Sequence, residues 1–164
     1  MAPRERSGLS LRWEFVPGIE GTDRAVYWRW RAFTQTGVLF SESGKIEPSD
    51  STQAMLIMGS SFAEVTITDV EAFARMRAGK TTRIGPLRNI QGRTVTTDGL
   101  MGYELTARTN DAQSGKDLDM YQLILADKTT YYLAQGFVTP QRAPVILPQF
   151  RLITGSFRRV RPTR

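Results

Sequence analysis

Between Arg93 and Phe157 the chain alternates apolar and polar side chains in successive runs, then changes to a period of three to four residues. After a short strand, Arg93 to Thr96, and a turn at Asp98-Gly99, Tyr103, Leu105 and Ala107 oppose Glu104, Thr106 and Arg108. Such alternation puts the apolar set on one side of a pleated strand. Met120 to Ala126 and Thr130 to Val138 form two further strands, and Asp127-Lys128-Thr129 between them is short enough to force an antiparallel hairpin. Pro148 then opens a helix in which Phe150, Ile153 and Phe157 recur at i, i+3 and i+7 and cover the sheet, while Arg151 and Thr154 point away.

Nearer the N-terminus, Leu9, Leu11, Trp13 and Phe15 alternate with Ser10, Arg12 and Glu14. A second run sets Val26, Trp28, Trp30 and Ala32 against Tyr27, Arg29, Arg31 and Phe33, and Thr36-Gly37 turns the chain into a short strand from Val38 to Phe40. These make a β-meander in which the indoles of Trp28 and Trp30 are expected to be buried. Ser41 to Gln53, rich in Ser, Glu, Asp, Gly and Pro, reads as a linker. Ala54 to Met58 and Ala63 to Thr68 read as two strands about a turn at Gly59-Ser60-Ser61. Thr68 and Glu71 have the spacing of a capping box for a helix that carries Val70, Phe73 and Ala74 and ends at Gly79. Gly85-Pro86 and Gln91-Gly92 lead on to the strand at Arg93. The expected organisation is a meander annexe over 1–48, an α+β domain over 49–158 and a basic tail over 159–164. The class is α+β, an antiparallel sheet with helices layered against it.

A length of 164 residues with 40% apolar content suits one principal core. The longest apolar runs, such as Ala54 to Met58, fall far below the ~20 residues that cross a bilayer, and no export signal precedes the first strand. The expected location is cytoplasmic as written, or periplasmic for an excised mature domain. The sequence has neither histidine nor cysteine. Ser-His-Asp hydrolysis, thiol chemistry, disulfides, the usual zinc sites and histidine haem ligation are thereby excluded. What remains for an enzyme is carboxylate, Lys, Tyr, Arg or an oxygen-bound metal, so the expectation is a protein that is not an enzyme. Net charge is +6, but Arg158, Arg159, Arg161 and Arg164 in the last seven residues account for four charges, which leaves +2 for the rest.

Four motifs have ordinary explanations. Gly79-Lys80-Thr81 resembles the end of a phosphate-binding loop, but the required first glycine is Ala74 and a helix precedes it; Gly79 reads as a helix C-cap. In Trp28-Arg29-Trp30-Arg31 the indoles and guanidiniums fall on opposite strand faces, so they form no common stacking platform. Asp111, Asp117 and Asp119 surround Ser114-Gly115 without EF-hand spacing, as in a solvated hairpin loop. Tyr103, Tyr121, Tyr131 and Tyr132 are strand residues with polar tips, and any pocket is expected between Tyr132 and the closing helix.

The segments TVTTDGLMGYELTA (94–107), YQLILADKTTYYLAQGFV (121–138) and FRLITGSFR (150–158) resemble, in that order, the PsbP-like superfamily. That group includes the photosystem II extrinsic protein, a small Ran-binding import factor and bacterial DcrB-type domains. The resemblance covers residues 54 to 158 and implies an antiparallel β-sheet flanked by helices, an α/β/α sandwich, used as a non-enzymatic docking or accessory module of a bacterial kind. The metal-binding histidines of plant members have no counterpart here. The expected function is therefore docking of a protein partner by a monomer or homodimer, with no cofactor, catalytic residue or metal site. The candidate surface comprises Tyr27, Arg29, Arg31, Phe33, Tyr132, Arg158, Arg159 and Arg161. The alternative is an anionic surface or nucleic acid held by the arginine tail with Arg29 and Arg31; nucleic acid is the less favoured partner.

Overall fold

The computed structural model describes residues 29–34, 37–41 and 54–159, the first two segments by backbone alone. The strand expected at Leu9 to Phe15, the linker, Tyr27, Trp28 and Arg161 lie outside the described residues, as do the side chains of Arg29, Trp30, Arg31 and Phe33. The elements are β1 (Arg29–Thr34), β2 (Gly37–Ser41), β3 (Met55–Phe62), α1 (Val70–Gly79), β4 (Arg88–Thr97), β5 (Leu100–Asn110), β6 (Asp117–Asp127), β7 (Thr130–Val138) and α2 (Ala143–Gly155). Among the described residues, seven strands pair antiparallel in one sheet of order β1-β2-β3-β7-β6-β5-β4.

Local chemistry sets the path from β4 to β7. Asp98 and Gly99 take φ values of 50° and 74° between the paired Thr97 and Leu100. Two successive left-handed residues make a turn whose twist matches the flanking strands. The next connection holds Asp111, whose carboxylate accepts the Ser114 N–H at 2.7 Å, so this aspartate shapes a loop. A two-residue turn at Lys128-Thr129 closes the last hairpin, with Asp127 opposite Thr130.

Three local expectations are corrected. Gly59, Ser60 and Ser61 do not turn the chain; they continue β3 opposite Leu133, Tyr132 and Tyr131, and residues 63–68 form no strand. The nine-residue β7 offers its whole edge as a template, and ladder bonds outweigh the turn preference of three small residues. The α1 cap is Asp69, not Thr68: its carboxylate accepts the Ala72 N–H at 2.9 Å, the bond from an N-cap to the third helical residue. Strand β4 starts at Arg88 rather than Arg93, because an irregularity between Arg88 and Gln91 absorbs Asn89 and Ile90 and lets Gln91-Gly92 pair with Thr106 and Leu105.

Helix α1 leaves β3 in the middle of the sheet, crosses one face above β5 and β6, and delivers the chain to β4 at the edge; α2 packs on the opposite face against β6 and β7. The architecture is the expected α/β/α sandwich. The alternation of β6 serves both layers. Met120 and Ile124 pack with Val70, Ala74 and Ala78 of α1, whereas Tyr121, Leu123 and Leu125 pack with Ile146 and Phe150 of α2. Gln122 faces α1 and remains satisfied in the interior by donating Nε2 to the Ala74 carbonyl at 2.8 Å. Fully burying each large apolar side chain contributes about 1.5–3 kcal/mol, so this double-sided strand dominates the core.

Helix α2 begins five residues before Pro148, which lies inside it. Pro148 is tolerated because it is on the exposed side, and Pro144 occupies the first turn, where a missing N–H costs nothing. Phe150 is buried and Ile153 partly buried, as expected, and Phe157 is buried just beyond the helix end. Thr154 does not point away. It is buried, with its hydroxyl 3.0 Å from the Phe150 carbonyl and 2.8 Å from the Tyr121 hydroxyl. Close approach depends on Gly136: a Cβ there would stand 2.6 Å from the Phe150 ring and 2.9 Å from the Met55 carbonyl.

Candidate binding surfaces

A polar hub locks α2 onto the sheet. Glu104, buried on β5, accepts from Arg93 Nε at 3.1 Å and Arg151 Nε at 2.9 Å through Oε1, and from the Tyr121 hydroxyl at 3.2 Å through Oε2. Burial pushes the Tyr121 phenol well above its ordinary value, with the Thr154 hydrogen bond acting against that and the Glu104 charge adding to it. Tyr121 is therefore a neutral structural donor. Arg151 is exposed but paired with Glu104, and the outward stripe of α2 beside it contains Val145, Pro148 and Leu152 at i, i+3 and i+7. Val145 is 60% exposed and Leu152 54% exposed. A helix that is apolar on both its inner and outer sides is one that normally meets two neighbours. No acidic residue follows Asp127 in the sequence, whereas Lys128, Arg142, Arg151, Arg158, Arg159, Arg161 and Arg164 do.

The second feature lies on the α1 side. An open groove of about 440 Å³ runs between the C-terminal end of α1 and the segment entering β4, lined by Arg75, Thr81, Ile84, Leu87 and Ile90 among others. Arg75 is fixed at its rim: Nε donates to Glu71 Oε1 at 2.9 Å and Nη2 to the Tyr103 hydroxyl at 2.9 Å, while that hydroxyl donates to Glu71 Oε1 at 3.0 Å. The Glu71 carboxylate holds the Arg75 guanidinium pKa above its ordinary value. All the lining residues belong to the stretch 72–97, which has six cations and no acid.

The anticipated surface residues separate. Tyr132 is not a surface residue: it is 5% exposed and packs its ring 4.8 Å from that of Phe157. An apolar ring on the inner face of β7 is worth more under α2 than in water. The space anticipated between Tyr132 and α2 amounts to about 10 Å³, room for no more than a water molecule. Arg159, expected in a free tail, is tied to both hairpin turns, with its backbone N–H and Nε on Asp98 Oδ2 at 2.9 and 3.1 Å and Nη1 on Asp127 Oδ2 at 3.1 Å. Arg158 is exposed and donates to the Gly155 and Phe157 carbonyls at the end of α2. Arg29, Arg31 and Phe33 belong to the edge strand β1. A helix opening at Pro148 leaves Val145 outside it, and nothing local in the sequence shows that Leu152 faces outward or that a groove forms between α1 and β4. The signal available was the pair of acid-free stretches, 72–97 and 128–164. Among the described residues no helix is long and apolar enough to cross a membrane.

No protein-family model matches this sequence, and no curated protein matches it. Solved structures do. The protein of unknown function PA94 from Pseudomonas aeruginosa superposes with a TM-score of 0.53 at 15% identity, over 80% of this chain and 88% of that one. Cyanobacterial PsbP (CyanoP) from Synechocystis sp. PCC 6803 superposes with a TM-score of 0.50 at 12% identity, over 88% of this chain and 99% of that one. LpqN, involved in cell envelope biogenesis of Mycobacterium tuberculosis, gives 0.47 at 14% identity over 80% and 78%. At such identities the likeness concerns fold alone. An antiparallel sheet between two helices, matched over nearly the whole length of CyanoP, gives this chain the PsbP-like fold.

Proposed function

We propose that this chain is a non-enzymatic accessory module that docks a protein partner through the outward face of α2. The observation that carries the reading is the stripe Val145, Pro148, Leu152, exposed on a helix whose single charged residue, Arg151, is turned onto Glu104. Three apolar anchors at i, i+3 and i+7 are the arrangement by which a helix seats in an apolar groove. The partner's chemistry follows from charge: Arg151 and Arg159 are paired with carboxylates, whereas Arg158 is exposed at the end of α2 on the Gly155 and Phe157 carbonyls, so the complementary surface is an apolar groove with an acid near that end.

The test is photocrosslinking in the native cells from a reactive residue placed at position 145 or 152, with position 112 on the β5–β6 loop as control. A protein adduct formed from α2 alone, and lost when Leu152→Asp is introduced alongside position 145, supports the reading. Adducts from all three positions, or from none, overturn it, and an adduct of twice the chain mass would replace the partner by a second copy.

A further inference from the structure

We propose that the α1–β4 groove is a binding site for a small organic anion with an apolar body, a medium-chain carboxylate being the class. This site is independent of the α2 surface and lies on the opposite face of the sheet. Its volume of about 440 Å³ falls within the range of roughly 300–1,000 Å³ typical of small-molecule sites. Its wall is part apolar, with Ile84, Pro86, Leu87 and Ile90, and part polar, with Arg75 and Thr81 supplying side-chain contacts.

Both have donors to spare. Nε and Nη2 of Arg75 are committed to Glu71 and Tyr103, and Nη1 has no partner among the described residues. The Thr81 hydroxyl accepts from Gln135 Nε2 at 2.8 Å, which leaves its own proton to donate. Both residues line the groove, so an anion there can take the charged donor of Arg75 and a longer ligand can also reach the Thr81 hydroxyl. The surrounding field has the same sign. Lys80 and Arg83, on either side of Thr81 in the chain, have no carboxylate partner among the described residues, and with Arg77 they offset the partial negative charge at the C-terminal end of α1. Glu71 neutralises Arg75 alone.

The backbone supplies a separate indication. Arg83 and Asn89 hold φ values of 67° and 50°, so the segment that forms the groove wall is bracketed by two left-handed residues that are not glycine. Such conformations cost stability and persist where the surroundings impose a particular shape, as they also do at the hairpin turns of Asp98 and Lys128. Here they aim Ile84, Leu87 and Ile90 at one concavity.

Titration of the isotopically labelled full chain with octanoate, followed by amide chemical shifts, tests the assignment. Saturable shifts confined to residues 75–90 are expected, with 1-octanol binding at least about tenfold more weakly because it lacks the charge that Arg75 reads. Arg75→Met and, separately, Leu87→Ser should each weaken octanoate about tenfold. Spectra unchanged outside the groove confirm that both variants are folded, and Thr81→Val is the substitute if Arg75→Met is not. Equal binding of octanoate and octanol removes the anion from the proposal. Shifts elsewhere, or none, overturn it. So does an equal response to inorganic phosphate, which would make the apolar wall irrelevant, or displacement of octanoate by a short DNA duplex at physiological salt, which would transfer the surface to nucleic acid.

Discussion

Arg159 donates its backbone N–H and its Nε to one carboxylate oxygen of Asp98, 61 residues earlier in the chain. One side chain thus joins the segment following α2 to the β4–β5 turn, and through Asp127 to the β6–β7 turn. Phe157, two residues before, is held in the core between these ties and the end of α2.

The bond from the Arg159 backbone, followed by that from its side chain, holds the Asp98 carboxyl below its ordinary value of 3.8. A carboxylate whose folded pKa is depressed contributes stability that is present above the unfolded value and lost as pH falls through the folded one. Arg159→Ala is therefore expected to be less stable than the parent at neutral pH, with the difference shrinking only below about pH 4. Urea midpoints of the two proteins across pH 2.5 to 7 measure this; a constant difference down to the lowest pH would place the effect in packing.

Replacing Glu104 by Gln removes the charge shared by Arg93 and Arg151 while keeping its shape. The two arginine side chains are 63% and 41% exposed, so water compensates part of their loss. A cost of about 1–3 kcal/mol is expected, read from urea unfolding. Stability equal to the parent's would mean that the hub contributes position alone.

Tyr121→Phe deletes the hydroxyl between Glu104 and Thr154 and is expected to cost about 1–2 kcal/mol at pH 7. Its pH dependence is diagnostic. The folded phenol titrates above the ordinary 10.0, so the stability it contributes is intact below that pH and is lost as pH rises beyond it. The parent should accordingly lose stability faster than Tyr121→Phe above pH 10, where Tyr103 and Tyr132 titrate in both proteins. Parallel curves would contradict the assigned burial.

Gly136→Val tests how closely α2 lies on the sheet. With the Phe150 ring and the Met55 carbonyl inside the radius of a new Cβ, either the helix or β3 must move. The expected cost is about 1–3 kcal/mol or more, and Phe150→Ala, at a fully buried site, should cost about 3–5 kcal/mol. If the double variant is no worse than Phe150→Ala alone, the two residues report one contact.

Alternation, turn chemistry and helical period, all local, sufficed for the hairpins, for the strands from 100 to 138 and for the α+β class; the resemblance to PsbP-like domains rested on three sequence segments. Asp98-Gly99 needs no distant partner to turn. Gly59-Ser60-Ser61 does: these residues stay extended because β7 lies beside them, and no local property of three small residues reveals that neighbour. Likewise Thr154 is polar by composition and buried by position, since the Tyr121 hydroxyl waits across the layer to satisfy it. Pro148 shows the same division, because a proline at a helix start and one on the outer side of a longer helix share the same local constraint on φ. The candidate surfaces are the least legible part. The charge run from 72 to 97 is written in the sequence, but a groove exists only once α1 has crossed the sheet and brought Arg75 and Thr81 opposite Leu87 and Ile90. Local pattern specifies what each segment prefers; long-range packing decides which preferences are satisfied by solvent and which by another part of the chain.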